Sequence, residues 1–157
     1  MMTIDERTIE ALLEKPYWIV DVFPMQVPAD SPGQFFAVEE YFLREPRIGE
    51  IRQKYLRLLL KWNCYDDLYV SADCAETWTK NPDPALLEEW VLRKGCLPGG
   101  TVHVLAWEGR TMAVLQAEDL SMTVYNPSEE CLGLLRRLAE AEGLFVWMPE
   151  MNNSIEN

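Results

Sequence analysis

The stretch TVHVLAWEGRTMAVLQAEDLSMTVY, residues 101–125, predicts the centre of the fold. Its first two runs, Thr101–Trp107 and Thr111–Gln116, are rich in valine and other large apolar side chains, which is typical of strands. Glu108-Gly109 between them is typical of a tight hairpin, and Ser121–Tyr125 extends the pattern to a third strand. Both faces of the first two runs are mostly apolar, so we expect interior strands that are covered on each side.

Helices and further strands flank this meander. The longest helix signal lies at residues 46–62, where Ile48, Ile51, Tyr55 and Leu58 recur at spacings of three and four. The other predicted helices are 3–15, 32–44, 84–94 and 128–143, with caps at Thr3, Ser31, Asp83 and Ser128, and the other predicted strands are Tyr17–Phe23, Asp67–Asp73 and Leu144–Met148.

These elements predict one α+β domain over residues 1–149, with the element order αβααβαβββαβ and a mixed, mostly antiparallel sheet that has the meander at its centre. Residues 150–157 are polar and short, so we expect them to form a mobile tail.

Composition is that of an ordinary globular protein, since 48% of the 157 residues are apolar and 25% are charged. No apolar run approaches the ~20 residues that cross a bilayer. The first residues carry acids where a secretory signal carries positive charge, so we expect a cytoplasmic protein without membrane contact. The four cysteines form no Cys-x-x-Cys pair, and we therefore expect reduced thiols, no metal and no cofactor.

The net charge of −12 disfavours nucleic acid as a partner, because phosphate binding depends on cationic side chains, and it favours a basic protein. Residues 44–61 hold six of the 14 basic side chains and two acidic ones, so this segment is +4 while the rest of the chain is −16. Arg47, Lys54, Arg57 and Lys61 recur along this predicted helix. This basic stripe is either a solvated outer face or a binding surface for an anionic ligand.

A second charged cluster, which we call the acidic rim, contains Asp66, Asp67, Asp73 and Glu76 around one predicted strand and its following loop. Successive aspartates on a strand point to opposite faces, so these carboxylates are not expected to converge on one cation. We interpret them as solvated side chains that contribute to the binding of a partner.

His103 is the single histidine, and any chemistry that needs an imidazole must use it. In the predicted hairpin it lies opposite Val114 in an apolar setting, which is typical of a packed core histidine. The alternative is a thiol enzyme, whose nucleophile, base and orienting group would be drawn from Cys74 or Cys96, His103, and Asp119 or Asn126.

Asp21 is the most unusual charge in the sequence, because it stands between Val20 and Val22 in an otherwise apolar strand. A buried carboxylate is costly unless it is paired. Asp21 therefore has either a structural role, as a satisfied polar contact or an inward charge that discourages unwanted strand pairing, or a functional role as the acid of a pocket.

We expect from these patterns a small acidic binding protein, one form of which is an inhibitor or immunity-type protein that neutralises a basic partner. Aromatic side chains would anchor such a partner, and Trp78, Trp107 and Trp147 are the candidates. The alternative function is a small-ligand binder or a thiol- and histidine-dependent enzyme with a cleft near His103. Homo-oligomer formation is a further possibility.

Overall fold

The computed structural model describes residues 4–93, 100–106 and 108–150. Its helices are α1 (Glu6–Leu13), α2 (Phe35–Leu43), α3 (Arg47–Trp62), α4 (Pro84–Leu92) and α5 (Glu129–Ala141). Its strands are β1 (Tyr17–Asp21), β2 (Tyr69–Ser71), β3 (Thr79–Lys80), β4 (Thr101–Ala106), β5 (Thr111–Gln116), β6 (Met122–Tyr125) and β7 (Phe145–Trp147). The predicted α+β class and element order are confirmed, and β3 is one short addition.

The strands form one seven-stranded sheet in the order β3-β2-β4-β5-β6-β1-β7. The predicted meander of β4, β5 and β6 lies at its centre, as expected. Every pairing among the described strands is antiparallel, whereas the sequence suggested a mixed sheet. β1 pairs with both β6 and β7, and this position places Asp21, its last residue, opposite Phe145.

The hairpin between β4 and β5 has the predicted register, with His103 opposite Val114. Glu108 and Gly109 at its tip have positive φ angles of 55° and 84°. Two consecutive positive φ angles are what a type I′ turn requires, and this turn matches the twist of the flanking strands.

One face of the sheet is covered by α3, α4 and α5, which share the main hydrophobic core with it. The apolar residues of α3 recur every three or four positions, so Tyr55, Leu58, Leu59 and Trp62 all lie on one side of the helix and are fully buried. The core therefore forms around α3 and the central strands.

The opposite face of the sheet is covered less completely. Leu12 of α1 packs there against Leu105 and Met112, and these three form a smaller cluster. Towards β1 the same face leaves Ile19 and Thr123 half-buried. The prediction that both faces of the central strands are covered is therefore confirmed where α1 packs against β4 and β5.

Two helix starts differ from the sequence prediction. Thr3 lies outside the described residues, and Asp5 caps α1 by accepting a hydrogen bond from the Thr8 N–H at 2.9 Å. Ser31 does not cap α2, because its hydroxyl accepts from the Gly33 N–H in a local turn at 3.4 Å. As a result α2 begins at Phe35, three residues later than predicted.

Several other predicted features can be placed. The predicted strand Asp67–Asp73 is shortened to β2, because both aspartates bind neighbouring loops. The predicted end of α4 at Lys94 and the tail beyond Glu150 lie outside the described residues. None of the helices in the described ranges combines the length and apolarity needed to cross a bilayer.

Candidate functional site

A pocket of about 190 Å³ lies at the end of β1, between the sheet and the segment that leads into α2. Three carboxylic acids line it, Asp21, Glu39 and Asp119. Its apolar wall comes from aromatic and aliphatic side chains, chiefly those of Phe23, Phe35, Trp147, Met25 and Ile19. Acids from three separate elements therefore share one cavity with aromatic rings.

Asp21 reaches the pocket because the strand alternates. Val20 points into the main core, so the next side chain points to the opposite, less covered face. Asp21 is only 8% exposed, and its Oδ1 accepts a hydrogen bond from the Val22 N–H at 2.7 Å. Burial raises the pKa of Asp21, and the charge of Glu39 adds to this, although hydrogen bonds from nearby N–H groups act in the opposite direction.

The other two acids come from α2 and from the turn between β5 and β6. Glu39 is half-buried, whereas Asp119 is exposed at the solvent side of the pocket. Partial burial raises the pKa of Asp119, while the guanidinium of Arg52 acts to lower it. Among the described residues that line the pocket there is no lysine, arginine or histidine.

Tyr55 of α3 supports the pocket from beneath. Its hydroxyl lies 3.1 Å from the carbonyl oxygen of Val20 and 2.5 Å from that of Leu120, and Leu120 itself lines the pocket. Complete burial raises the pKa of Tyr55 well above 10. This one phenol therefore connects β1 to the turn that carries Asp119.

Replacing Tyr55 with phenylalanine should lower the free energy of unfolding by about 1–3 kcal/mol, because the one proton of the buried hydroxyl, which both carbonyl groups approach, is lost as a donor. Urea unfolding measures the loss. Tyr41→Phe is the matched control, because Tyr41 is 54% exposed and its hydroxyl is not buried, and it should change stability by less than about 0.5 kcal/mol. Equal effects of the two substitutions would contradict this role of Tyr55.

The remaining wall of the pocket is held by hydrogen bonds from residues 147–150. The indole N–H of Trp147 donates to the carbonyl of Phe23 at 3.2 Å, and the Glu150 N–H donates to Gln26 Oε1 at 3.1 Å. Trp147, predicted as an aromatic anchor, thus forms part of the pocket. Its hydrogen bond to the carbonyl of Phe23 fixes the segment after β1, which carries Phe23 and Met25 of the pocket wall.

His103 does not reach this pocket. It lies on the same sheet face as Ile19, but three strands away, which is about 14 Å at the usual strand spacing. The ring of Trp78 lies 6.4 Å from it, centroid to centroid, and burial lowers the pKa of His103. His103 is half-buried there, and its role as a packed core residue stays a prediction.

Asn126 and Asp119 of the predicted thiol enzyme have contacts that do not involve His103. The His103 Nδ1 atom has no hydrogen-bond partner in the described part of the chain, and Cys74 is exposed. The Asn126 side chain donates to the carbonyl of Arg110, and Asp119 belongs to the pocket. Cys96 and Trp107 lie outside the described residues.

The basic stripe is largely occupied by internal contacts. Arg57 and Lys61 both bind Glu142, at 2.7 and 3.0 Å, and so connect α3 to the end of α5. The guanidinium of Arg47 lies 3.7 Å from the ring centroid of Tyr41. Lys54 Nζ lies beside Gly143. The binding of an anion by the stripe stays a prediction.

The acidic rim carries structural hydrogen bonds. Asp66 accepts from the indole N–H of Trp62 at 3.0 Å, and Asp67 accepts from Asn81 at 2.8 Å. Hydrogen bonds from Thr77, with a further one from the Ser71 hydroxyl, lower the pKa of Asp73 to about 2.

Glu76 of the acidic rim is exposed and follows Asp73 in the same turn. Within the described ranges, no group of three or more His, Cys, Asp and Glu residues is arranged to hold a metal ion. The rim therefore stabilises loops, and its part in binding a partner stays a prediction.

The sequence singled out Asp21 and Trp147 but missed Glu39, Phe35 and Met25. A signal for Glu39 and Phe35 exists, because residues four apart share one side of a helix. Nothing in the sequence specifies that this side faces the end of β1.

Comparison with known proteins gives no relative, since no protein-family model, no curated protein and no solved structure matches this chain.

Proposed function

We propose that this chain is a binding protein for a basic protein partner, and that the pocket at Asp21 takes the lysine or arginine side chain of that partner. The observation that carries the proposal is the set of three carboxylates from β1, α2 and the β5–β6 turn around one cavity, with no basic side chain among the described residues lining it.

Electrostatics favours a cation in this pocket. The charge of Glu39 disfavours the ionisation of the partly buried Asp21, whereas Asp119 faces the guanidinium of Arg52. An ammonium or guanidinium group in the cavity relieves the cost at Asp21 and Glu39. The rings of Phe23, Phe35 and Trp147 add favourable sites for a cation, because aromatic faces are electron-rich. An anionic ligand would meet three acids and is disfavoured.

The size of the pocket suits a side chain. A cavity of about 150 Å³ is known to hold a benzene molecule. The 190 Å³ here therefore admits the four-carbon stem and ammonium of a lysine. Met25 lines the pocket and is 66% exposed, so the cavity opens onto the surface, where a partner can reach it.

The charge of the whole chain supports a protein partner. A net charge of −12 accelerates the encounter with a basic protein and disfavours acidic competitors. An inhibitor or immunity-type protein for a basic enzyme or toxin would use these properties directly, because inserting a side chain of the partner blocks its surface.

The binding of small cations tests the proposal. Titration with n-butylammonium, followed by the amide NMR signals of Val22 and Phe23, should give a Kd of about 1 mM, which is ordinary for a five-atom ligand. Blocked lysine and blocked arginine serve as side-chain probes. Two neutral compounds of similar size, n-pentane and n-butanol, should bind at least about 10-fold more weakly than butylammonium, because they lack its charge.

Glu39→Gln and Glu40→Gln form a matched pair on α2. Glu39 lines the pocket, whereas Glu40 is exposed and pairs with Arg44. Glu39→Gln should weaken butylammonium binding by about 3- to 10-fold, since one of three nearby charges is lost. Glu40→Gln should leave it unchanged. Equal binding of butanol and butylammonium, or equal effects of the two substitutions, would refute the proposal.

A further inference from the structure

The helix α2 displays an unusual amount of apolar surface. Its sequence is FFAVEEYFL, yet none of its nine residues is fully buried. Phe36 is 81% exposed and Tyr41 is 54% exposed. Grouped exposed apolar side chains of this size commonly mark interaction sites.

Part of this surface is continuous with the pocket. The rings of Phe23 and Phe35, both in the pocket wall, have centroids 5.7 Å apart, and the ring of Phe36 follows at 5.6 Å from that of Phe35. Met25 also extends from the wall to the surface. We call Phe36 and Met25 the collar, since both are exposed, Met25 lines the cavity and Phe36 contacts the ring of Phe35 in its wall.

The collar has an acidic surrounding. Glu39 and Asp119 line the cavity beside it, and Glu118 is exposed next to Asp119 in the sequence. An occupant that covers the collar must therefore tolerate negative charge around an apolar centre. A basic segment with apolar side chains has this chemistry, whereas a second copy of this chain, at −12, would be repelled.

The spacing fits a short peptide segment. Consecutive Cα atoms are 3.8 Å apart, so side chains adjoining an inserted lysine lie within about 4–7 Å of it along the chain. The ring of Phe36 lies at a similar distance from the pocket wall. In a segment that is not a regular strand, whose successive side chains would point to opposite faces, a large side chain next to the inserted residue would then contact the collar.

We infer that the collar and the pocket together dock a segment of a basic protein in which a large apolar residue adjoins the lysine or arginine that enters the cavity. This inference rests on the proposed function and adds the chemistry of the neighbouring residue to it. A free amine would use the pocket alone.

Three blocked five-residue peptides test the inference, with Lys between two Leu, Lys between two Ala, and norleucine between two Leu. Binding is measured by NMR titration of the full chain. The Lys–Leu peptide should bind about 10-fold more tightly than the Lys–Ala peptide, because part of a leucine side chain leaves water. The norleucine peptide should bind more weakly than both.

Phe36→Ser should remove the advantage of the Lys–Leu peptide and leave the Lys–Ala peptide unaffected. Phe36 is mostly exposed, so the variant should remain folded, which its thermal midpoint checks. Tyr41→Ser is the control, since Tyr41 lies five residues along α2 and projects about 140° away around the helix. It should change neither affinity.

The outcomes separate the two proposals. If both lysine peptides bind equally and the norleucine peptide does not bind, the pocket stands and the collar inference is wrong. If the norleucine peptide binds as tightly as the Lys–Leu peptide and Phe36→Ser weakens both, the proposed cation pocket is wrong. A dimer in sedimentation that Phe36→Ser dissociates would also overturn the inference, since the collar would then serve a second copy.

Discussion

Replacing Asp21 with asparagine should raise the thermal midpoint of the protein at pH 7 by a few degrees and lower its affinity for butylammonium. The ionised carboxylate is nearly buried and faces the charge of Glu39, so its charge opposes folding. Asparagine keeps an oxygen that can accept from the Val22 N–H. It loses the negative charge that pairs with a cation, so affinity should fall by about 10-fold or more.

The gain in stability should depend on pH in a defined direction. The pKa of Asp21 is raised above 3.8 in the folded state, so between 3.8 and the raised value the folded protein binds more protons than the unfolded chain. Stability is therefore lost as the pH rises through this window. The advantage of Asp21→Asn is then fully present above the window and disappears below pH 3.8.

Thermal melts of the wild type and of Asp21→Asn from pH 3.5 to 7 measure this difference. The other ionisable groups that affect the site are the same in both proteins and cancel to first order; they are Glu39, Asp119, Tyr55 and Arg52. Asp30→Asn, at an exposed carboxylate, is the control and should show no gain. A lower midpoint for Asp21→Asn at every pH would assign Asp21 a purely structural role.

Replacing Trp62 with alanine should cost about 3–5 kcal/mol of unfolding free energy, the largest loss that we expect from a single substitution. Trp62 is completely buried in the main core at the end of α3, and its indole N–H binds Asp66. The substitution removes the ring, leaves a cavity and frees the carboxylate.

Urea unfolding measures this loss, with two comparisons. Trp62→Phe keeps most of the volume and should cost less than Trp62→Ala. Tyr65→Ala, three residues further on, removes a ring that is 70% exposed and should change stability by less than about 0.5 kcal/mol. A loss below about 1 kcal/mol for Trp62→Ala would mean that α3 does not organise the core as described.

The parts of the fold that the sequence predicts well are those with local signals. The turn at Glu108-Gly109 specifies its own hairpin, and the spacing of Ile48, Ile51 and Tyr55 specifies α3. β3 was missed because two residues carry no periodicity, and they become a strand only by pairing with β2. The start of α2 was misplaced because a serine hydroxyl can serve a local turn as well as a helix.

The candidate site was predictable only in part. Asp21 was conspicuous, because a charge in an apolar strand requires an explanation. Glu39 was not, because one glutamate on a helix is ordinary until the helix is placed over the end of β1. The basic stripe was conspicuous in the sequence, but its ion pairs were not predictable. Arg57 and Lys61 both pair with Glu142, which is distant in the sequence.

The outermost strands of the sheet, β3 with two residues and β7 with three, restrict how partners can attach. A peptide that extends a sheet by β-augmentation needs a longer row of open backbone N–H and C=O groups as its template. Such short edge strands also protect against the edge-to-edge pairing of sheets that leads to aggregation. Under the proposed function, recognition would therefore depend on the side chains of a partner more than on its backbone.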